Sequence, residues 1–193
     1  MRAALIRQHS AAIVCERQGP GRPGFSPHFR WSVTYAVGMA EFEVVRQAVI
    51  SAEPSRIHGL IDDLHEWTKW SPWEDIDPQL QRTYSGPDSG VGAEYAWHGD
   101  RKVGSGNMAI VTSADREIGI RLTFEKPWKA TNQVLFELNP TESGATQVVW
   151  RMTGEQRGLM RVLSKVIPMD RMVGKDFEKG LARLKAVAEA GAA

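Results

Sequence analysis

The feature that most constrains this chain is a change of period. Between residues 117 and 153 apolar side chains recur at every second position, and between 169 and 188 they recur at every third or fourth. In Glu117–Phe124, Ile118, Ile120, Leu122 and Phe124 share one face, with Gly119, Arg121, Thr123 and Glu125 on the other. In Asn132–Leu138, Val134, Phe136 and Leu138 align. After a turn at Glu142-Ser-Gly144, Thr146, Val148, Trp150 and Met152 oppose Gln147, Val149, Arg151 and Thr153. Successive strand side chains point to opposite faces, so this pattern predicts antiparallel strands with one apolar and one wet face. Met169, Val173, Phe177, Leu181, Leu184 and Ala188 then mark a helix of about twenty residues with one apolar face. A sheet must cover its apolar face, and this helix is the element long enough to do so. A curved sheet gripping a long helix leaves a gap wherever the two do not meet. Gly174 and Gly180 fall within the helix, each costing up to about 1 kcal/mol relative to Ala, and such a glycine lets another group come close.

The segment before the alternation adds the remaining elements. Glu41–Ile50 is strand-like. Ser51-Ala-Glu-Pro54 opens a helix with Pro near its first turn, and Ile57, Leu60, Ile61 and Leu64 form its apolar stripe. In Trp67-Thr-Lys-Trp70-Ser-Pro-Trp73, Pro72 stops helix growth and holds Ser71 extended. Strands are predicted at Leu80–Ser85, Ala93–His98 and Gly106–Ser113, separated by turns at Gly86-Pro-Asp-Ser-Gly90 and Gly99-Asp100. Leu159–Val166 reads as a short helix stopped by Pro168. The order is strand, helix, about six antiparallel strands and a long terminal helix, an α+β architecture.

The 193 residues suggest one domain with an extension. The expected division is an N-terminal extension, residues 1–40, disordered or poorly ordered, and a body over 41–193. Residues 16–30 hold three Pro and three Gly, which cannot propagate helix or strand. Residues 1–40 carry five arginines against Glu16, leaving 19 basic and 22 acidic residues in the body. Five scattered arginines are sparse for a binding arm, and a near-neutral chain with an acidic body argues against nucleic acid as a partner. An alternative is that translation starts at Met39, a reading that a native peptide spanning residues 20–30 would exclude. Cys15 is the single cysteine, so neither an internal disulfide nor a cysteine zinc site is available. The apolar run Ala11–Cys15 is shorter than the roughly 7–15 residues of a secretory core, and no run approaches the ~18 of a membrane span. The expectation is a cytoplasmic protein without a membrane span.

Motifs of established chemistry are scarce. His9, His28, His58, His65 and His98 make no His-x3-His or Glu-x-x-His pair, and neither a Gly-x-Ser-x-Gly elbow nor a Walker loop occurs, so no metal and no cofactor is expected. Gly86, Gly90 and Gly92 join two strands instead of opening a helix, which favours a hairpin over a phosphate loop; Gly104-Ser-Gly106 reads as a bulge or strand start. Glu74, Asp75 and Asp77 read first as a solvated loop and second as a polar rim at a cavity mouth. Tyr95, Glu94, His98 and Glu155 are candidate proton handlers, Glu94 and Glu155 on the condition that burial raises their pKa. The tryptophans are unusual: Trp67, Trp70, Trp73, Trp97, Trp128 and Trp150 all lie in the body. Trp97 and Trp150 fall on inward faces with Tyr95, Met108 and Met152. Such a lining suits an apolar pocket, with a packed core as the plainer alternative.

Together these residues resemble the START-like superfamily, also called SRPBCC or polyketide cyclase/dehydrase-like. The carrying residues are Trp67-x-x-Trp70-Ser-Pro-Trp73-Glu74, Tyr84-Ser-Gly-Pro87 with Gly90-Val-Gly92, Trp97-x-Gly99, Trp150-x-Met152-x-Gly154 and Asp170-x3-Gly174-Lys-Asp-Phe-Glu-x-Gly180-Leu181. The resemblance spans about residues 41–190. It implies a helix-grip fold, a curved antiparallel sheet around a long C-terminal helix with an apolar cavity between them. It carries over no catalytic residue, because one fold hosts many functions. The expected ligand-binding set is Trp70, Trp73, Tyr95, Trp97, Met108, Leu122, Phe136, Trp150, Met152 and Phe177, with a small apolar, aromatic or lipid-like molecule as partner. A cyclase/dehydrase-type enzyme and a co-chaperone-like interaction module are the alternatives, and a homodimer stays open.

Overall fold

A computed structural model describes residues 40–156 and 169–191. In chain order these form β1 (Ala40–Ile50), α1 (Pro54–Asp62), a short 3-10 helix (Glu66–Lys69), β2 (Gln81–Ser85), β3 (Glu94–His98), β4 (Ser105–Ala114), β5 (Glu117–Lys126), β6 (Ala130–Pro140), β7 (Thr146–Gln156) and α2 (Met169–Ala190). The extension before residue 40, Cys15 and the short helix expected at Leu159–Val166 lie outside the described residues.

The seven strands make one antiparallel sheet in the order β1-β7-β6-β5-β4-β3-β2. Strands β2 to β7 are a meander of neighbours. β1 pairs with β7, aligning Val44 with Met152 and Ala48 with Val148. β1 and β2 therefore occupy opposite edges, and α1 with the 3-10 helix carries the chain from one edge to the other.

The alternation sets which face is covered. Ile118, Ile120, Val134, Phe136, Leu138, Val148, Trp150 and Met152 are buried, while Arg121 and Gln133 are exposed. Each large apolar side chain buried this way contributes about 1.5–3 kcal/mol. On the outer face Arg151 pairs with Glu43 of β1 and, at 3.7 Å, with Glu137 of β6. α2 buries Phe177, Leu181, Leu184 and Ala188, the stripe its spacing predicts. α1 buries Ile57, Leu60 and Ile61 and has Pro54 in its first turn. Arg56 joins the two helices by donating Nε to the Ala188 carbonyl at 2.8 Å. The antiparallel α+β helix-grip arrangement is therefore the fold of this chain.

Two glycine motifs resolve as turns and bulges. Gly86 has φ 79° and sits where a Cβ would lie 2.2 Å from the Gly92 carbonyl oxygen, so the β2–β3 connection closes only with glycine there. The β4–β5 register shifts between Ser105 and Gly106, a bulge at the start of β4.

Candidate functional site

α2 does not cover the sheet evenly. Under its N-terminal half a cavity of about 310 Å3 remains, at the small end of the ligand-pocket range. Of the ten residues expected to bind a ligand, eight line it. Tyr95 and Trp97 come from β3, Met108 from β4, Leu122 from β5, Trp150 and Met152 from β7, Phe177 from α2, and Trp73 from the connection after the 3-10 helix. The other two, Trp70 and Phe136, are not part of the lining and are 0% exposed. The Trp70 indole donates Nε1–H to the Leu60 carbonyl of α1 at 2.8 Å and meets Phe136 edge-on at 6.2 Å. The expected set is corrected at these two positions: α1 packs on β6 and closes this part of the sheet, so both rings are core.

The walls are held by close aromatic packing. Phe177 stacks on Trp150 with centroids 4.0 Å apart and planes 10° apart, and Trp73 stands edge-on to both. Gly180 makes that stack reachable: a Cβ there would lie 2.8 Å from the Trp150 ring and 3.1 Å from Pro72. Trp97 lies across Gly106, where a Cβ would be 2.6 Å from its ring. The Trp150 indole N–H is buried with no acceptor among the described residues, a polar cost the stack carries.

The polar part of the wall centres on Glu74. Its side chain is only 8% exposed. Arg82 donates Nε to Oε2 at 2.7 Å and Nη2 approaches the same oxygen at 2.5 Å. The Tyr95 hydroxyl donates to Oε1 at 3.2 Å. Burial pushes the Tyr95 phenol above its ordinary value, and the Glu74 charge and hydrogen bond add to that. Burial works against the Arg82 charge, but its bond and ion pair with Glu74 outweigh this and raise its pKa. Tyr84 packs beside Tyr95, with centroids 5.2 Å apart, and stacks on His65 at 4.0 Å. Ser71, Lys102, Asn132 and Asp176 complete the polar lining.

The acidic trio thus divides into three roles. Glu74 lies at the cavity, as the second reading of the trio has it, and not in the solvated loop that the sequence favours. Asp75 is exposed and pairs with Arg183 of α2 at 2.5 Å. Asp77 is buried and accepts the backbone N–H groups of Gln79 and Asp100, each at 2.8 Å, which ties two loops together. Two candidate proton handlers are corrected as well. Glu94 and His98 are exposed on β3, on the face opposite Tyr95 and Trp97, because alternate residues of a strand point apart. The Glu155 side chain lies outside the described residues. Of the three whose side chains are described, Tyr95 alone reaches the cavity.

Some lining residues were missed. Phe124 shares its face with Leu122, and Asn132 with Val134 and Phe136, so alternation already marks them; Asp176 precedes Phe177 in α2. Among the described residues no group of three His, Cys, Asp or Glu comes together to hold a metal ion, and no helix is long and apolar enough to cross a membrane.

A family profile described as polyketide cyclase / dehydrase and lipid transport matches residues 39–189. No functionally curated protein matches the sequence. Among solved structures, the chain is similar to a protein of unknown function from Staphylococcus aureus, with 14% identity and a TM-score of 0.61 over 81% of this chain and 98% of that one. It is similar to truncated norcoclaurine synthase from Thalictrum flavum, with 11% identity and a TM-score of 0.60 over 81% and 99%. A protein from Chromobacterium violaceum aligns with 16% identity and a TM-score of 0.55 over 76% and 96%. At these identities the likeness is one of fold.

Proposed function

Because the chain belongs to the polyketide cyclase / dehydrase and lipid transport family, we propose that it binds a small hydrophobic or aromatic molecule in the cavity beneath α2. The observation that carries this reading is the aromatic-walled space of about 310 Å3, which the long helix leaves unfilled. A well-packed interior has few voids larger than a water molecule, so a space this size calls for an occupant. The binding unit is the body, residues 41–193, and residues 1–40 are an extension to it. Native mass spectrometry of the purified full chain, with thermal melts against fatty acids, sterols and polycyclic phenols, tests the reading. A co-purified apolar mass or a raised melting temperature supports it, since a ligand that binds the native state alone stabilises it. Unchanged melting across the panel, with no bound mass, overturns it.

The Tyr95–Glu74 hydrogen bond favours a second reading, an enzyme of the cyclase/dehydrase type. A carboxylate and a phenol meeting on an apolar wall form a proton-handling pair, and a cavity that folds a reactive chain into one shape supplies much of the rate. With an identified substrate, turnover that survives both Glu74→Gln and Tyr95→Phe rejects it.

A further inference from the structure

The polar corner of the cavity narrows the ligand class, an inference that rests on the ligand-binding reading above. Glu74 is a buried carboxylate with about four acceptor positions. Oε2 is well served, with two Arg82 nitrogens at 2.7 and 2.5 Å. Among the described residues Oε1 holds a single hydrogen bond, from Tyr95, at 3.2 Å. Hydroxyl bonds to carboxylate are ordinarily 2.5–2.7 Å, so Oε1 is the under-served acceptor of the pair. Tyr95 and Glu74 both line the cavity, which places that acceptor at its wall.

The charges around it decide what donor suits it. Arg82 neutralises Glu74, and its three nitrogens are committed inside the protein: Nε and Nη2 to Glu74, Nη1 to the Leu80 carbonyl at 3.2 Å. Lys102 and Asp176, the other charged lining residues, are of opposite sign. A ligand carboxylate would therefore lose its water facing Glu74, and Arg82, which is not among the residues lining the cavity, does not meet it there. A ligand ammonium would do the same facing a carboxylate already neutralised by Arg82. A wholly apolar ligand would strip water from Oε1 and give nothing back, which is costly for a charged acceptor.

We infer that the cavity selects an aromatic or alicyclic molecule bearing one neutral hydroxyl, a phenol or alcohol, whose O–H is accepted by Glu74 Oε1. The walls take the apolar body, and the Glu74 corner fixes its orientation.

Calorimetric titration of the full chain at neutral pH with four shape-matched probes tests this: 2-naphthol, 2-methylnaphthalene, 2-naphthoate and 2-naphthylmethylamine. The expected result is a Kd for 2-naphthol about tenfold or more below that of 2-methylnaphthalene, with the two charged probes weakest. Glu74→Gln replaces a charged acceptor by a neutral one, so the ratio of the two Kd values falls toward about twofold. Tyr95→Phe removes the donor that competes for Oε1, so the ratio holds or rises. That second variant and the wild-type ratio keep the test sharp even if Glu74→Gln fails to fold. Loss of the naphthol preference in Tyr95→Phe overturns the inference, because the phenol would then be the recognising group. Equal affinity of wild type for naphthol and methylnaphthalene, or tightest binding of a charged probe, also overturns it while leaving the ligand-binding reading standing. If no probe binds, the hydroxyl inference falls, and the ligand-binding reading is decided by the melts and native mass spectrometry above.

Discussion

Trp70 and Trp73 stand three residues apart and meet opposite fates. Trp70 is wholly buried, bonded to the Leu60 carbonyl and packed against Trp67 and Phe136. Trp73 is half-buried, edge-on to Trp150 and Phe177, with the cavity beside it. The residue type is the same, so chemistry does not separate them. What differs is the covering element. α1 closes over β6 and leaves no space, whereas α2 descends from a packed C-terminal half, with Leu181, Leu184 and Ala188 buried, to an N-terminal half whose Val173, Asp176 and Phe177 line a hollow. The molecule has a packed half and a hollow half, and the boundary runs along α2.

The largest expected effect tests that division directly. Trp70→Ala removes a fully enclosed ring and orphans a carbonyl, and it is expected to cost about 3–5 kcal/mol in urea unfolding. Trp73→Ala opens a wall that already borders space, so relaxation is easier and about 1–2 kcal/mol is expected, with ligand affinity lost instead. Equal losses from the two would erase the distinction.

Next in size is the boundary itself. Gly180→Ala pushes a methyl to within 2.8 Å of the Trp150 ring and 3.1 Å of Pro72, neither of which yields readily. Overpacking costs typically about 1–3 kcal/mol, against up to ~1 kcal/mol gained in helix propensity, so a net loss is expected. At Gly174 the added methyl meets the Arg46 guanidinium, the far end of a flexible chain held by exposed Asp170 and Glu178. Those pairs are worth about 0–1 kcal/mol, so Gly174→Ala is expected within about 1 kcal/mol of wild type in either direction. A Gly180→Ala variant as stable as Gly174→Ala would show that α2 is not seated tightly on Trp150.

The hollow half also carries a pH signature. Tyr95 has its pKa raised in the folded chain above the unfolded 10.0, by burial first and then by Glu74. The native state then holds the proton more tightly. That contribution is complete below pH ~10 and is lost as pH rises above it, with a slope of at most about 1.4 kcal/mol per pH unit. Unfolding between pH 9 and 11 should show this decline, and Tyr95→Phe should flatten it. Tyr84, also raised by burial, leaves a smaller residual slope. No difference between wild type and Tyr95→Phe would mean the phenol is better hydrated than its place on the wall indicates.

The division between halves was less legible in the sequence than the fold. Period two along β5, β6 and β7 and period three to four along α2 state which side of each element is apolar, and that is enough for a gripped helix. Neither period says how far the covering helix stands from the sheet. Phe136 and Trp150 share the inward pattern and align across β6 and β7, yet one is core and the other also lines the cavity. Glu74 was illegible for the same reason. Its neighbours Asp75 and Asp77 give it the look of a loop, and its role is set by Arg82 and Tyr95, which arrive from the β2–β3 hairpin.

The smallest expected effect concerns residues whose placement was legible all along. The alternation that turns Tyr95 and Trp97 inward turns Glu94 and His98 outward. Glu94 meets only the Ser85 hydroxyl at 3.2 Å among its side-chain partners in the described residues, and both residues are exposed. Glu94→Gln and His98→Gln should therefore each shift stability by less than about 0.5 kcal/mol and leave probe affinity and any turnover at wild-type levels. The neighbouring Tyr95→Phe, one step along the same strand, should flatten the alkaline slope, and Glu74→Gln should lower the naphthol ratio. If either outward variant moved binding as much as Glu74→Gln does, β3 would present its other face to the cavity, and the hollow half would have to be redrawn from that strand.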